Sequence, residues 1–316
     1  MDVTIVLVTW NSAPYLRRCL EGIRHQTYAS RELIVVDNAS MDASVDLVAA
    51  DATHVLRNDT NRGFSAAVNQ AIAIARGEFI LLLNPDCHLE PDYIARLVDA
   101  LREGPEFGSA TGLLLRAHGR DIEPLDAIDS MGIRMTRSGR HFDIGHIGRI
   151  GPKGPIEVFG VSGAAALHRA SFLRDVAIGG EIFDEDFFAY REDADLAWRG
   201  RLMGWRALCE PRAIAHHVRR VTPEVRRRLS VEINMHSVKN RFLLRLKNEG
   251  AYLAIRNAPF ELARDLVVII ATLTIERSSL PALTWLWRNR HRVLAKRREI
   301  QRRRKVSDRE LARWFR

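Results

Sequence analysis

The sequence predicts an α/β protein in which helices flank a mostly parallel sheet, with a helical C-terminal region appended. Two observations carry this expectation. Up to about residue 115, short apolar runs alternate with amphipathic helical patterns, the order expected of parallel strands joined by covering helices. Three of those runs also end abruptly in polar groups, as strands do when their carboxyl ends form a ligand crevice.

The first strand, over 3–10, runs Thr4-Ile5-Val6-Leu7-Val8 into Thr9-Trp10-Asn11, and a helix follows over 13–26. The second, over 32–37, runs Leu33-Ile34-Val35-Val36 into Asp37-Asn38 and leads to a helix over 42–50. A third strand over 53–57 and a helix over 63–76 precede the fourth strand, over 78–84. Here Phe79-Ile80-Leu81-Leu82-Leu83 is wholly apolar and then meets Asn84-Pro85-Asp86. Pro85 has no N–H to continue the ladder, so Asp86 is delivered just past the strand end. Each Asp also fits a helix N-cap, but repetition of the design at several strand ends favours a binding crevice. A helix over 91–103 and a strand over 108–115 complete the pattern.

Residues 116–156 are rich in Gly, Arg and Asp and read as a mobile excursion of the kind that forms lids and binding loops. Order returns over Val158 to Leu167, where Gly160 and Gly163 indicate close approach of a ligand or another backbone. From Phe183 to Leu196, acids are interleaved with aromatic residues. Phe183, Phe187, Phe188 and Tyr190 should bury and hold the carboxylates against a wall, an arrangement suited to a general base. Glu192, Asp193 and Asp195 fall in the first turn of the helix that continues through Trp198 and Leu202, where the dipole favours negative charge. Catalysis and helix capping therefore both fit Glu192 and Asp195.

At 316 residues and 47% hydrophobic content, the chain can hold one large domain and an appendage, divided here as 1–220 and 221–316. Cys19, Cys87 and Cys209 are odd in number and far apart, which points to a reducing compartment rather than a disulfide framework. The N-terminus enters a strand with no basic segment and apolar core before it, so a cytoplasmic catalytic domain is expected. Charge is unevenly spread: residues 1–211 carry 22 Lys and Arg against 30 Asp and Glu, whereas 212–316 carry 26 against 9. The basic character belongs to the last third.

That third reads as a basic helix over 224–249, an apolar segment over 266–275, Trp285 and Trp287, and a run from Arg288 to Lys305 dense in Arg and Lys. The apolar segment is shorter than the roughly 20 residues that span a bilayer. Tryptophans beside cations suit the anionic cytoplasmic face of a membrane, with peripheral rather than spanning attachment. A helical hairpin or a homodimer interface is the other arrangement the pattern allows. Nucleic acid fits least, because no recognition motif accompanies the basic run.

In order along residues 3–220, the motifs Val8-Thr9-Trp10-Asn11-Ser12, Val36-Asp37-Asn38-Ala39-Ser40, Asn61-Arg62-Gly63-Phe64 with Asn69, Leu83-Asn84-Pro85-Asp86, Ser162-Gly163-Ala164, Phe183-Asp184-Glu185, and Tyr190 to Leu196 resemble the inverting family 2 glycosyltransferases. These have the GT-A fold, a Rossmann-like sheet flanked by helices, and the likeness is strongest to the bacterial rhamnosyltransferase-like branch that builds cell-surface polysaccharide. The resemblance implies a nucleoside-diphosphate sugar donor, dTDP-rhamnose-like or a UDP-sugar, and a glycan or lipid-linked hydroxyl acceptor. It implies that Asp37 contacts the nucleoside, that Thr9 and Asn11 line its pocket, and that Asn61, Gly63, Phe64 and Asn84 line the donor site, with Asn69 nearby. Asn84-Pro85-Asp86 stands where the family has its metal-binding D-x-D, with Asn in the first place, leaving Asp86 to hold Mg2+ or Mn2+. A histidine from a later strand often joins it, here His217, with His216 as the alternative. Asp193 would be the base, and Gly163, Ala164, Glu192 and Asp195 would lie on the acceptor side or support it. A non-catalytic sugar-nucleotide-binding or scaffold protein of the same fold is the other function class.

Overall fold

The computed structural model describes residues 1–148, 151–219 and 231–316. Its first half alternates as the apolar pattern requires. Strand β1 (Val3–Thr9), helix α1 (Ala13–Arg24), β2 (Arg31–Asp37), α2 (Ser44–Val48), β3 (His54–Arg57), α3 (Phe64–Ile74) and β4 (Phe79–Leu83) come in turn. After a short β5 (Cys87–Leu89) follow α4 (Tyr93–Glu103) and the long β6 (Phe107–His118).

β3, β2, β1 and β4 lie side by side and parallel, and the antiparallel β12 (Ala165–Arg169) joins β4 to β6. The register pairs Thr9 with Asp37, so these two strand ends finish level. Alternate residues face opposite sides, as the pleat demands. Ile5, Leu7, Leu81 and Leu83 pack with α1 and α4 on one face, while Val6, Ile34, Val36 and Leu82 pack with α3 on the other.

The stretch 116–156 is not the unstructured excursion expected. It holds β7 (Glu123–Ser130), β8 (Ile133–Met135), β9 (His141–Asp143) and β10 (His146–Ile147), and β11 (Ile156–Val158) begins at its end. β7 extends the main sheet beside β6, and β8 pairs with β9 as a separate ribbon. β8 to β11 have only two or three residues each, and β7 carries Pro124 and the acids Glu123, Asp126 and Asp129, so neither shows the apolar alternation that marks a strand. Helix α5 (Ala170–Val176), α6 (Glu192–Leu202) and β13 (Arg206–His217) complete the sheet-bearing part. β13 runs antiparallel to β5 and sets His217 opposite Cys87, the neighbour of Asp86.

Beyond it lie α7 (Val231–Asn248), α8 (Ala251–Thr274), α9 (Leu280–Arg288), α10 (Arg290–Arg303) and α11 (Asp308–Leu311). The expected basic helix is α7 from Val231 onward; its first residues, 224–230, lie outside the described residues. One apolar cluster unites Phe159, Phe187 and Trp198 of the sheet-bearing part with Leu243, Leu253, Val293 and Phe315. Part of the basic run is counter-charge to the acids of the first part. Lys296 contacts Asp184 at 2.6 Å, Glu181 at 3.0 Å and Asp186 at 3.1 Å, and Arg292 also pairs with Asp186.

The apolar segment is longer than it reads in sequence, because α8 has 24 residues and an outward stripe of Ile255, Leu262, Leu266, Ile270 and Leu273, each at least half exposed. Their spacing of three, four and seven places them on one face. No single described helix is long and apolar enough to cross a membrane, although α8 and the helical stretch Arg277–Arg288, bent by 107°, pass that test as a pair. Trp287 is 68% exposed, but Trp285 packs on the shared core under Lys239, so the two tryptophans do not act alike.

Candidate active site

The carboxyl ends of β1, β2 and β4 open on a cavity of about 250 Å³. Trp10, Asn38, Asn61, Phe64, Asn84 and Asp86 line one side, and Phe188, Ala189 and Tyr190 another, with Glu232, Ile233 and His236 of α7 closing it. Of the residues expected at the donor site, Asn61, Gly63, Phe64 and Asn84 all line this cavity. Gly63 has φ +82°, and a Cβ there would sit 2.6 Å from the Phe188 ring, so only glycine fits.

The nucleoside-side residues differ from expectation. Thr9 is fully buried and donates to Asp37 at 2.9 Å, so it braces that carboxylate instead of lining the cavity. Asp37 is 3% exposed, and its second oxygen accepts from the Ser40 N–H at 3.0 Å; it does not line the cavity, whereas its neighbour Asn38 does. Asn11 turns away to accept from the Met41 N–H at 2.8 Å. Asn69 is a staple: its amide pairs with both the N–H and the C=O of Phe183, at 2.9 and 2.8 Å.

At the end of β4 the Asp86, Cys87 and His217 ligand atoms lie within 4.8 Å of one another. The Asp86 Oδ1 is buried without a hydrogen-bond partner, 3.6 Å from His217 Nε2. An orphaned carboxylate oxygen beside an imidazole fits a divalent cation. Cys87 does not fit: burial pushes its thiol well above the ordinary range, and its Sγ lies 3.4 Å from the Ala164 carbonyl. His216 points the other way, to Glu90 at 3.0 Å, as strand alternation requires.

His217 is oriented from behind by Asp129 of β7, at 2.8 Å from its Nδ1. Burial alone would lower the imidazole pKa, but Asp129 and Asp86 outweigh it and lift the value to about 9, so a cation bound at Nε2 would have to displace the proton there. Burial would likewise raise Asp129, yet His217 and Arg219 hold it at about 2. Arg219 continues the chain, donating to Asp129 at 2.7 Å and to Asp143 of β9 at 2.6 Å. Neither Asp129 nor Asp143 was among the sequence candidates, since both lie in the stretch read as an excursion.

Asp143 in turn acts on Asp193. Burial first, and then the Asp143 charge, push the Asp193 carboxyl up to about 6, against the pull of backbone N–H groups. Those donors are Ala194 at 2.7 Å and Gly163 at 3.3 Å. Ala164 accepts from the Asn84 N–H at 2.8 Å, so Gly163-Ala164 ties the strand end bearing Asp86 to the carboxyl of Asp193. Phe64 lies between the main cavity and a smaller void lined by Asp193 and Gly163. Burial and the Asp193 charge lift Glu192 further, to about 8. Asp195 is fully buried and bound to Arg199 at 2.8 Å and Lys247 at 3.0 Å, a supporting place inside the protein.

The segment before α6 is strained. Phe188, Tyr190 and Arg191 have φ of 66°, 70° and 73°, unusual for side chains of this bulk. It is held from α7: the Asn240 Nδ2 lies 2.8–2.9 Å from the carbonyls of Phe187, Ala189 and Tyr190, and His236 stacks on Phe188 at 4.6 Å. Nothing in the local sequence of α7 signals this role.

A parallel sheet in the order β3-β2-β1-β4, extended by the antiparallel β12 and carrying a carboxylate at its crevice, is the GT-A glycosyltransferase architecture. The chain belongs to glycosyl transferase family 2, whose model matches residues 4–172. It is 30% identical over 238 residues to the N-acetylglucosaminyl-diphospho-decaprenol L-rhamnosyltransferase of Mycobacterium tuberculosis, covering 67% of this chain and 75% of that protein. It is 34% identical over 128 residues to the succinoglycan biosynthesis protein ExoO of Rhizobium meliloti, covering 40% and 35% respectively. The chain thus spans about a third of the length of ExoO, and of the Bacillus subtilis relative EpsH. The mannosyltransferase PcManGT of Pyrobaculum calidifontis, in complex with GDP-Man and Mn2+, shares the fold at TM-score 0.54 over 96% of this chain and 83% of that one, with 21% identity.

Proposed function

We propose that the protein is an inverting glycosyltransferase that moves a sugar from a nucleoside-diphosphate sugar to a hydroxyl of a lipid-linked or surface-polysaccharide acceptor. The observation that carries this reading is the orphaned Asp86 oxygen beside His217, at the mouth of a cavity walled by Asn61, Gly63 and Phe64. The resemblance to the mycobacterial relative, whose name gives an L-rhamnosyl transfer onto a decaprenyl diphosphate sugar, favours a dTDP-rhamnose-like or UDP-sugar donor.

Asp193 is the base. A carboxyl lifted to about 6 is ionised at neutral pH, yet basic enough to draw the proton from an attacking hydroxyl. Glu192, lifted to about 8, stays protonated beside it, so the pair carries one negative charge. Attack from the face opposite the diphosphate inverts the anomeric centre and needs no covalent intermediate. Asp86 and His217 would hold Mg2+ or Mn2+, which supplies positive charge for the departing diphosphate. Trp10, Phe188 and Tyr190 give the donor cavity an aromatic wall.

The α8 stripe supports peripheral attachment to the cytoplasmic face of a membrane, where a lipid-linked acceptor is at hand. Leu262→Glu with Leu266→Glu should abolish co-sedimentation with anionic vesicles, and equal sedimentation of the double variant would argue instead for a protein partner on that face. The chemistry is tested by nucleoside diphosphate release with dTDP-, UDP- and GDP-sugars. Turnover with one donor, lost in Asp193→Asn while donor binding persists, is expected; donor binding without turnover under any condition would leave the non-catalytic reading.

A further inference from the structure

Helices α7, α8, α9 and α10 enclose a second, larger hollow of about 830 Å³, distinct from the donor cavity. Its walls include Phe242, Leu246, Leu262, Ile269, Leu286 and Trp287. That volume lies in the range of sites that enclose small apolar ligands. Leu262 also belongs to the exposed stripe of α8, and both it and Trp287 are 68% exposed, so the hollow opens on the same face.

The floor is charged but balanced. Arg245 pairs with Glu261 at 2.9 Å and with Asp265, which also accepts from Arg241 at 3.3 Å. Burial, and then the Glu261 charge, lift Glu249 to about 8, so it stays neutral at neutral pH. Such a floor asks for no charged occupant. The rim differs: Arg290, exposed and 4.4 Å over the Trp287 ring, and Arg297 stand at the mouth.

We propose that this hollow holds the isoprenoid chain of a prenyl-phosphate-linked acceptor, with Arg290 and Arg297 meeting its phosphate. The proposal rests on the lipid-linked acceptor reading given above and names the part of the acceptor that the protein grips. Apolar walls, a charge-balanced floor and a cationic rim together match one branched apolar chain with an anionic head. The same helix serves both sites. Leu246 of the hollow lies ten residues after His236 of the donor cavity, about 15 Å along α7 at 1.5 Å per residue. The two sites are therefore neighbours along one helix.

The test uses the full chain and farnesyl phosphate as probe, followed by quenching of tryptophan fluorescence. Ala258→Phe fills the hollow without removing a contact, and Ala254→Phe does so from one turn earlier, in case the first variant misfolds. Saturable binding by the wild type, weakened at least tenfold in either folded variant while vesicle co-sedimentation is unchanged, is the expected result. Equal binding by wild type and variants, or no saturable binding, overturns the proposal; if the wild type still sediments with vesicles, the membrane reading survives that loss. Light scattering that finds a lipid-free dimer dispersed by Ala258→Phe would also overturn it, making the hollow a contact between copies. Because no donor sugar is present in these measurements, a failure of glycosyl transfer is read separately, from the donor screen.

Discussion

Replacing Asn240 by alanine tests whether α7 holds the active-site loop in shape. Its amide reaches three carbonyls at 2.8–2.9 Å, on a segment containing three bulky residues at φ 66–73°. Each left-handed residue costs about 1–2 kcal/mol, so the loop carries about 3–6 kcal/mol of strain. The amide returns about 1 kcal/mol per hydrogen bond, and without it the buried carbonyls must turn elsewhere. If about 2–4 kcal/mol of the strain is then released by rearrangement, the productive geometry becomes a minor state and kcat falls about 30- to 900-fold. Donor affinity should weaken as well, since Phe188 and Tyr190 line the donor cavity. Nucleoside diphosphate release at saturating substrates measures the first, calorimetric titration the second, and limited proteolysis should find new cleavage near 187–191. Asn240→Asp should be no better, because a carboxylate cannot donate to three carbonyls. A folded Asn240→Ala protein with kcat within about twofold of wild type would refute the reasoning.

Other substitutions probe the site's parts separately. Asp86→Ala should abolish turnover and also the thermal stabilisation that MnCl2 gives the wild type; a variant that Mn2+ still stabilises fully would place the ion elsewhere. With Asp193 as the proposed base and its carboxyl raised to about 6, kcat/KM should climb as pH rises through about 6 and be lost as pH falls below it. The residual rate of Asp193→Asn should show no such limb, and its persistence would assign the base to another group. Lys247→Met leaves the fully buried Asp184 and Asp195 without one of their cations, so about 3–5 kcal/mol of stability should disappear in urea unfolding; a loss under about 1 kcal/mol would mean that Lys296 and Arg199 suffice.

The parallel strands and their covering helices were legible because each carries its signal within a dozen residues: Phe79–Leu83 is apolar throughout, and α1 and α4 repeat apolar residues on one face. Asp86 was legible for the converse reason, as a charge that strand packing does not require. What escaped the sequence is what depends on distant partners. β5 has three residues and exists because β13 pairs with it. Asp129 looks like any loop acid until β7 sets it behind His217. Thr9 and Asp37 were read as two ligand contacts, yet strand register turns them toward each other. Asn240 lies mid-helix among basic residues, and only the loop it touches gives it meaning.

The ion pairs between the acidic loop and the late helices have a consequence for biosynthesis. Asp184 meets Lys247 across 63 residues of chain and Lys296 across 112. On a ribosome the sheet can assemble early, since β1 to β4 find their partners among themselves. The carboxylates of Asp184 and Asp186, however, emerge with no cations to bury them, and water will keep them apart until α7 and α10 have been made. The nascent chain therefore acquires its architecture well before its competence, and a partly translated molecule holds a donor crevice without an organised catalytic loop.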